Sequence, residues 1–152
     1  MESSVARRDR SPVQTFAGLV GIVFLLVGIA GFIPGITTHL YGGLHFAGHN
    51  SHAQILHHFQ TSWLHNIVHL AFGVVGVAMA STWAGARTYL IGGGVIYSAL
   101  WLYGIIVDKG SSANFVPVDR ADNWLHLALG VGMIGLGYAT TRAAVPRERP
   151  AT

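Results

Sequence analysis

Apolar residues run through the chain in four long blocks, at about 13–33, 57–80, 88–107 and 124–141, separated by short polar or charged segments. Each block is about 20 residues long, the length an α-helix needs to cross the hydrocarbon core of a bilayer at about 1.5 Å rise per residue. The first follows Arg7, Arg8 and Arg10 and stops at Pro34-Gly35. A secretory signal starts in a similar way, but its apolar region usually covers about 7–15 residues before a small-residue cleavage site, so this stretch reads as a retained helix. The second block is polar in its front half and strongly apolar from Leu70 to Ala80. The third lies between Arg87 and Asp108-Lys109-Gly110, and the fourth between Asp122 and Arg142. The pattern predicts an all-α fold, an integral membrane four-helix bundle forming a single domain over residues 1–152, with short disordered ends at 1–10 and 143–152.

Composition sharpens this picture. The chain has 152 residues, of which 51% are hydrophobic and 10% charged; soluble domains carry about 25% charged residues. No Asp, Glu, Lys or Arg occurs between Ser11 and Ala86. The expected surroundings are therefore a lipid bilayer. The absence of cysteine excludes disulfides, thiolate metal sites, covalent c-type haem attachment and cysteine nucleophiles. The net charge of +3 sits in short flanks of the apolar blocks, a pattern that reads as membrane orientation and not as nucleic-acid binding. Seven basic residues (Arg7, Arg8, Arg10, Arg87, Arg142, Arg147, Arg149) fall on one side and two (Lys109, Arg120) on the other. The excess predicts a multi-pass protein of the plasma membrane with both termini in the cytoplasm, and with residues 34–54 and 108–122 facing outward.

An internal repeat relates the second and fourth helices. His65-Asn66-Ile67-Val68-His69-Leu70-Ala71-Phe72-Gly73 matches Asp122-Asn123-Trp124-Leu125-His126-Leu127-Ala128-Leu129-Gly130. The first and third helices match more weakly, Thr15-Phe16 with Thr88-Tyr89 and Gly21-Ile22-Val23-Phe24 with Gly94-Val95-Ile96-Tyr97. Both copies start on the same side, so the bundle is expected to consist of two parallel-related helical hairpins, with His69 and His126 at matching depth. Fourteen of the 20 glycines fall inside the four blocks. Burial gives apolar groups no advantage over lipid tails, so small residues mark the close helix contacts.

The chemistry concentrates at the repeated polar positions. Helical spacing puts His65 and His69 on one face, and Asp122 and His126 on another. Brought together, three imidazoles and a carboxylate form a first shell suitable for a divalent metal, or His69 and His126 ligate a haem from both sides. The structural reading gives Asn66, His69, Asn123 and His126 the role of polar contacts between helices, by hydrogen bonds that satisfy groups unable to meet water. On that reading His69→Leu would cost about 1–2 kcal/mol. Asp119 and Asp122 read as capping carboxylates at the start of the fourth helix. His45, His49 and His52, followed by His57-His58, suggest a labile metal-binding or pH-sensitive patch, against a solvated cluster with no acidic partner. No catalytic signature is present, and the Gly92-Gly93-Gly94 run lies inside an apolar block with no strand or lysine to make a phosphate loop.

Three segments, Leu64-His65-Asn66-Ile67-Val68-His69-Leu70, Ala113-Asn114-Phe115-Val116-Pro117 and Ala121-Asp122-Asn123-Trp124-Leu125-His126-Leu127, together with Phe46-Ala47-Gly48, carry a family resemblance. The chain resembles, over nearly all of residues 11–141, a family of small four-helix integral membrane proteins of actinobacteria catalogued as a domain of unknown function (4383). The resemblance implies topology and location but no chemistry. The function expected is a non-enzymatic structural or accessory subunit of the plasma membrane, with a membrane protein or a second copy as partner and no cofactor. The alternatives are a metal- or haem-binding module using the histidines of the second and fourth helices, or a small oligomeric transporter.

Overall fold

The computed structural model describes residues 10–48, 50–115 and 118–142. The ends expected to be disordered lie outside the described residues, Arg10 apart, and so does His49. The chain is mostly helical. In order it forms α1 (Pro12–Ala30), β1 (Thr37–Thr38), α2 (Leu40–Gly43), β2 (Gln54–Ile55), β3 (Phe59–Gln60), α3 (Trp63–Met79), α4 (Trp83–Ile106) and α5 (Arg120–Arg142). Two of these helices, α1 and α4, are long and apolar enough to cross a membrane, and α3 is a shorter apolar helix of 17 residues.

The helix ends differ from the apolar blocks because caps, not hydropathy, set them. Helix α1 starts with Pro12 at a position that needs no amide hydrogen, and Gln14 Oε1 accepts from the Ser11 amide at 3.1 Å. The same Gln14 donates to the carbonyls of Ala80 and Ser81, fastening the start of α1 to the end of α3. The block expected at 57–80 yields a helix only from Trp63, where the Ser62 hydroxyl accepts from the His65 amide at 3.1 Å. Thr82 caps α4 in the same way through the Gly85 amide, so α4 begins five residues before the expected 88 and contains Arg87.

The mostly helical chain is consistent with the all-α expectation and adds a small three-stranded antiparallel sheet of two-residue strands at 37–38, 54–55 and 59–60 that the apolar pattern does not mark. Thr37 pairs with Ile55 and Thr38 with Gln54, while Gln54 and Ile55 also pair with Gln60 and Phe59. Strands of two residues are too short to leave an alternating pattern. Leu56 and His57 turn the β2–β3 connection with positive φ angles of 53° and 63°, the twist a tight hairpin requires. This cap lies over one end of the helices. The amides of Trp63 and Leu64 donate to the carbonyls of His45 and Phe46, at 3.1 and 2.9 Å, which satisfies free donors in the first turn of α3. Gly48 donates to the Phe115 carbonyl, and the Gln60 amide to Asp119 Oδ2 at 3.3 Å.

The long helices pack chiefly as two pairs, α1 with α3 and α4 with α5, around a core of Val13, Ala17, Phe24, Ala80, Ala86, Tyr89, Leu90, Tyr97 and Met133. Both pairs use one register. A Cβ added to Gly21 would lie 2.7 Å from the Val77 nitrogen and 3.0 Å from the Gly73 oxygen; one added to Gly94 would lie 2.9 Å from the Ile134 nitrogen and 2.8 Å from the Gly130 oxygen. The partners of Gly21 and those of Gly94 stand at matching positions of the sequence repeat. The repeat is thus written into backbone contact, where only glycine admits so close an approach.

Candidate functional site

The repeat also sets the polar positions. One helical turn into α3 stand His65 and Asn66, and a turn later His69; α5 presents Asp122, Asn123 and His126 in the same order. Their N-caps match too. Ser62 accepts from the amide three residues on, and Asp119 Oδ1 accepts from the Asp122 amide at 2.8 Å. Asp122 Oδ2 accepts in return from the Asp119 amide at 3.3 Å. The two carboxylates therefore form a reciprocal cap on α5, with Asp119 as the cap proper and Asp122 as its partner.

His65, His69, Asp122 and His126 border one cavity of about 330 Å³, together with Phe24 and Tyr97. The sequence-predicted set is therefore brought together. The His65 and His69 rings lie 4.5 Å apart between centroids. His69 rests against Phe24 at 5.6 Å, and His126 meets Tyr97 edge-on at 5.4 Å, so each histidine leans on an aromatic ring of the helix paired with its own. The surface they present to the cavity is almost entirely carbon. Among the described residues no group of three histidine, aspartate or glutamate side chains is placed to hold a metal ion.

Among the described residues no hydrogen bond between helices is found from the side chains of Asn66, His69, Asn123 and His126. The Nδ1 atoms of His65, His69 and His126 are buried without a partner, as are Asn66 Nδ2 and Asn123 Oδ1. Asn66 Oδ1 accepts from the nearby Thr61 hydroxyl at 2.5 Å. What the two asparagines do between helices is fill space. A Cβ on Gly31 of the α1 end would overlap the Asn66 amide, and one on Gly104 of α4 would overlap the Asn123 amide. Each asparagine is seated in a glycine notch of its paired helix, at equivalent places in the two repeats.

Among the described residues the outer histidines form no group placed to hold a metal ion. His45, His52, His57 and His58 are exposed on the cap, His57 and His58 in the hairpin turn. His39 and His52, with Gln54, Gln60 and Asp119, border a wide open depression of about 700 Å³. Sequence reasoning missed the part of Gln60, whose amide ties the sheet to the α5 cap, and the notches at Gly31 and Gly104. The sequence already marks Asp119 and Asp122 as capping residues; extending the repeat outward by one turn from His65 would have found Ser62 as the matching cap of α3.

The profile of one family, described as a domain of unknown function (DUF4383), matches residues 14–139. No curated protein and no solved structure matches the chain. The match covers most of the chain, which belongs to that family.

Proposed function

We propose that this member of the DUF4383 family is an integral protein of the plasma membrane that crosses it four times, with both termini in the cytoplasm, and acts as a structural or accessory subunit without catalysis of its own. One observation carries the reading: the long helices carry large apolar residues on their outer faces as well as in the core. Leu26 on α1, Val74 on α3, Ile106 on α4 and Val131 on α5 each leave more than half of their surface outward. The interior holds His65, Asn66, Asn114, Asp122 and His126, all buried. Exposed apolar surface of this extent on every long helix needs a hydrocarbon surrounding. Trp63, Trp83 and Trp124, exposed near helix ends, suit the headgroup level.

The accessory role is supported by how the chemically capable groups are used. Asp119 and Asp122 are spent on capping, and the three interior histidines lean on rings with no acid or nucleophile hydrogen-bonded to their Nδ1 atoms. Resistance of the membrane-bound chain to alkaline carbonate, with release by detergent, is the first test. The chain has no cysteine, so Ser112→Cys should react with an impermeant maleimide in intact cells and Ser81→Cys only after permeabilisation. Labelling of Ser81→Cys from outside would overturn the topology. A protein that is always monomeric, captures no partner after crosslinking, and whose deletion leaves every membrane complex intact would overturn the accessory role.

A further inference from the structure

The two halves of the repeat match at the backbone but not in how their outer crevices are filled. Between α3 and α4 the Phe72 ring is held edge-on by Phe24 at 4.9 Å and Tyr97 at 5.5 Å, and meets Tyr89 at 5.1 Å. It lies over Gly93, where a Cβ would come within 2.8 Å of its Cζ. The repeat puts Leu129 where Phe72 stands, and Val20 where Gly93 stands. Two branched side chains line that place instead of a flat ring on a glycine. The cavity of about 330 Å³ opens at this spot, between α1 and α5, and Leu129, Val20, Phe24 and Tyr97 are all part of its wall.

We infer that this cavity is a binding site for a neutral aromatic compound of one or two fused rings, which takes the place on the α1–α5 side that Phe72 fills on the other. The volume suits about ten non-hydrogen atoms, from the share of liquid volume that one water occupies. Apolar cavities of this kind stay dry and take up small aromatic molecules. Phe24 and Tyr97, which already hold one ring by their edges, also border the cavity and present the same quadrupoles to a second. Entry is sideways, past Leu19, Val23 and Leu125, each roughly half exposed. His65, His69, Asp122 and His126 also border the cavity, but almost all of the surface facing it is carbon, so a charged ligand would meet little to offset its desolvation. The site stands on the cavity alone and does not depend on how the chain is oriented in the bilayer.

The test is fluorine NMR of the purified full-length protein in detergent, with 1-fluoronaphthalene as probe. A saturable bound resonance at one site per chain is expected, unaffected by excess naphthalenesulfonate. Leu129→Phe should weaken it at least tenfold by supplying the missing ring. Val23→Phe, at the half-exposed rim where folding is least at stake, should do the same, while Val131→Phe on the outer surface of α5 should leave it unchanged. Absence of a saturable resonance, its persistence in both cavity-filling variants, or binding of 1-fluorodecane in place of the aromatic probe would overturn the inference. Carbonate extraction is read independently, so failure of the membrane reading would be seen as a separate result.

Discussion

The run Gly92-Gly93-Gly94 contains its own control. A Cβ at Gly94 would lie 2.6 Å from Ile134 Cγ1, 2.8 Å from the Gly130 oxygen and 2.9 Å from the Ile134 nitrogen, whereas at Gly92 it would meet nothing within 4 Å. Both residues sit in the middle of α4, so replacing either by alanine gains the same helix propensity, about 1 kcal/mol. The difference between the two variants then isolates the close approach of α4 and α5. Two of the three neighbours of Gly94 are backbone atoms of α5, which can yield only by shifting the helix. Moving the pair apart by a few tenths of an ångström loosens every contact along it, and overpacking of this kind costs about 1–3 kcal/mol. Gly92→Ala is therefore expected to be neutral or stabilising by up to about 1 kcal/mol, and Gly94→Ala to fall about 1–3 kcal/mol below it. The measurement is reversible unfolding in mixed micelles with increasing dodecyl sulfate, followed by helical circular dichroism. Gly21→Ala, facing Val77 and Gly73 in the first pair, should cost as much as Gly94→Ala. Equal stability of Gly92→Ala and Gly94→Ala would refute the glycine contact as the device that joins the pairs.

The same unfolding measurement checks three further expectations. His69→Leu should be neutral or stabilising, because His69 Nδ1 is buried without a partner and an unsatisfied group of this kind costs about 1–3 kcal/mol; a loss of 1–2 kcal/mol, the range for a cross-helix hydrogen bond, would restore the role first expected of it. Tyr89→Phe should likewise raise stability or leave it unchanged, since the Tyr89 hydroxyl is buried and unpaired, and a clear loss would show that a partner exists. Asp119→Ala should cost about 1 kcal/mol by removing the α5 cap, with Asp119→Asn recovering most of it; protease sensitivity of the 37–60 cap should rise in the alanine variant, because Asp119 also holds the Gln60 amide.

How much of this was legible depends on the length scale at which each feature is encoded. The four long helices follow from apolar blocks that dominate any window of 20 residues. The starts of α3 and α4 do not, because Ser62 and Thr82 act through single hydrogen bonds that hydropathy ignores, whereas the capping carboxylates of α5 were legible. The matching depth of His65 with Asp122 and of His69 with His126 was readable from the repeat; that all four border one cavity was not, because equal depth does not fix which helix faces meet. Their lack of hydrogen bonds was not readable. Whether an imidazole meets an amide or a ring is decided by side-chain rotation within about 3 Å, and Asn66 and Asn123 turn toward the glycine notches instead. The sheet at 37–60 escaped because each strand is two residues long and is held by pairing across distant positions, with no periodic pattern along the chain.

The repeat further explains why small residues at helix contacts need not occupy the same positions in both halves. Gly18 on α1 faces Ala80, and in the second pair Ile91 on α4 faces Gly137. These are equivalent contacts with the small partner moved from one helix to the other. What such a contact requires is that the two facing side chains together do not exceed the space the register allows, since interiors tolerate redistribution of volume better than its gain or loss. Phe72 with Gly93 and Leu129 with Val20 carry the same number of side-chain carbons in different shapes, a flat ring on a bare backbone against two branched side chains. Equal carbon number does not give equal filling, because two branched side chains on facing helices cannot lie flat in the space that a single ring fills. The cavity therefore follows from shape at one contact, in a framework whose backbone register is otherwise duplicated, and that is why it opens beside α1 and α5 and not beside α3 and α4.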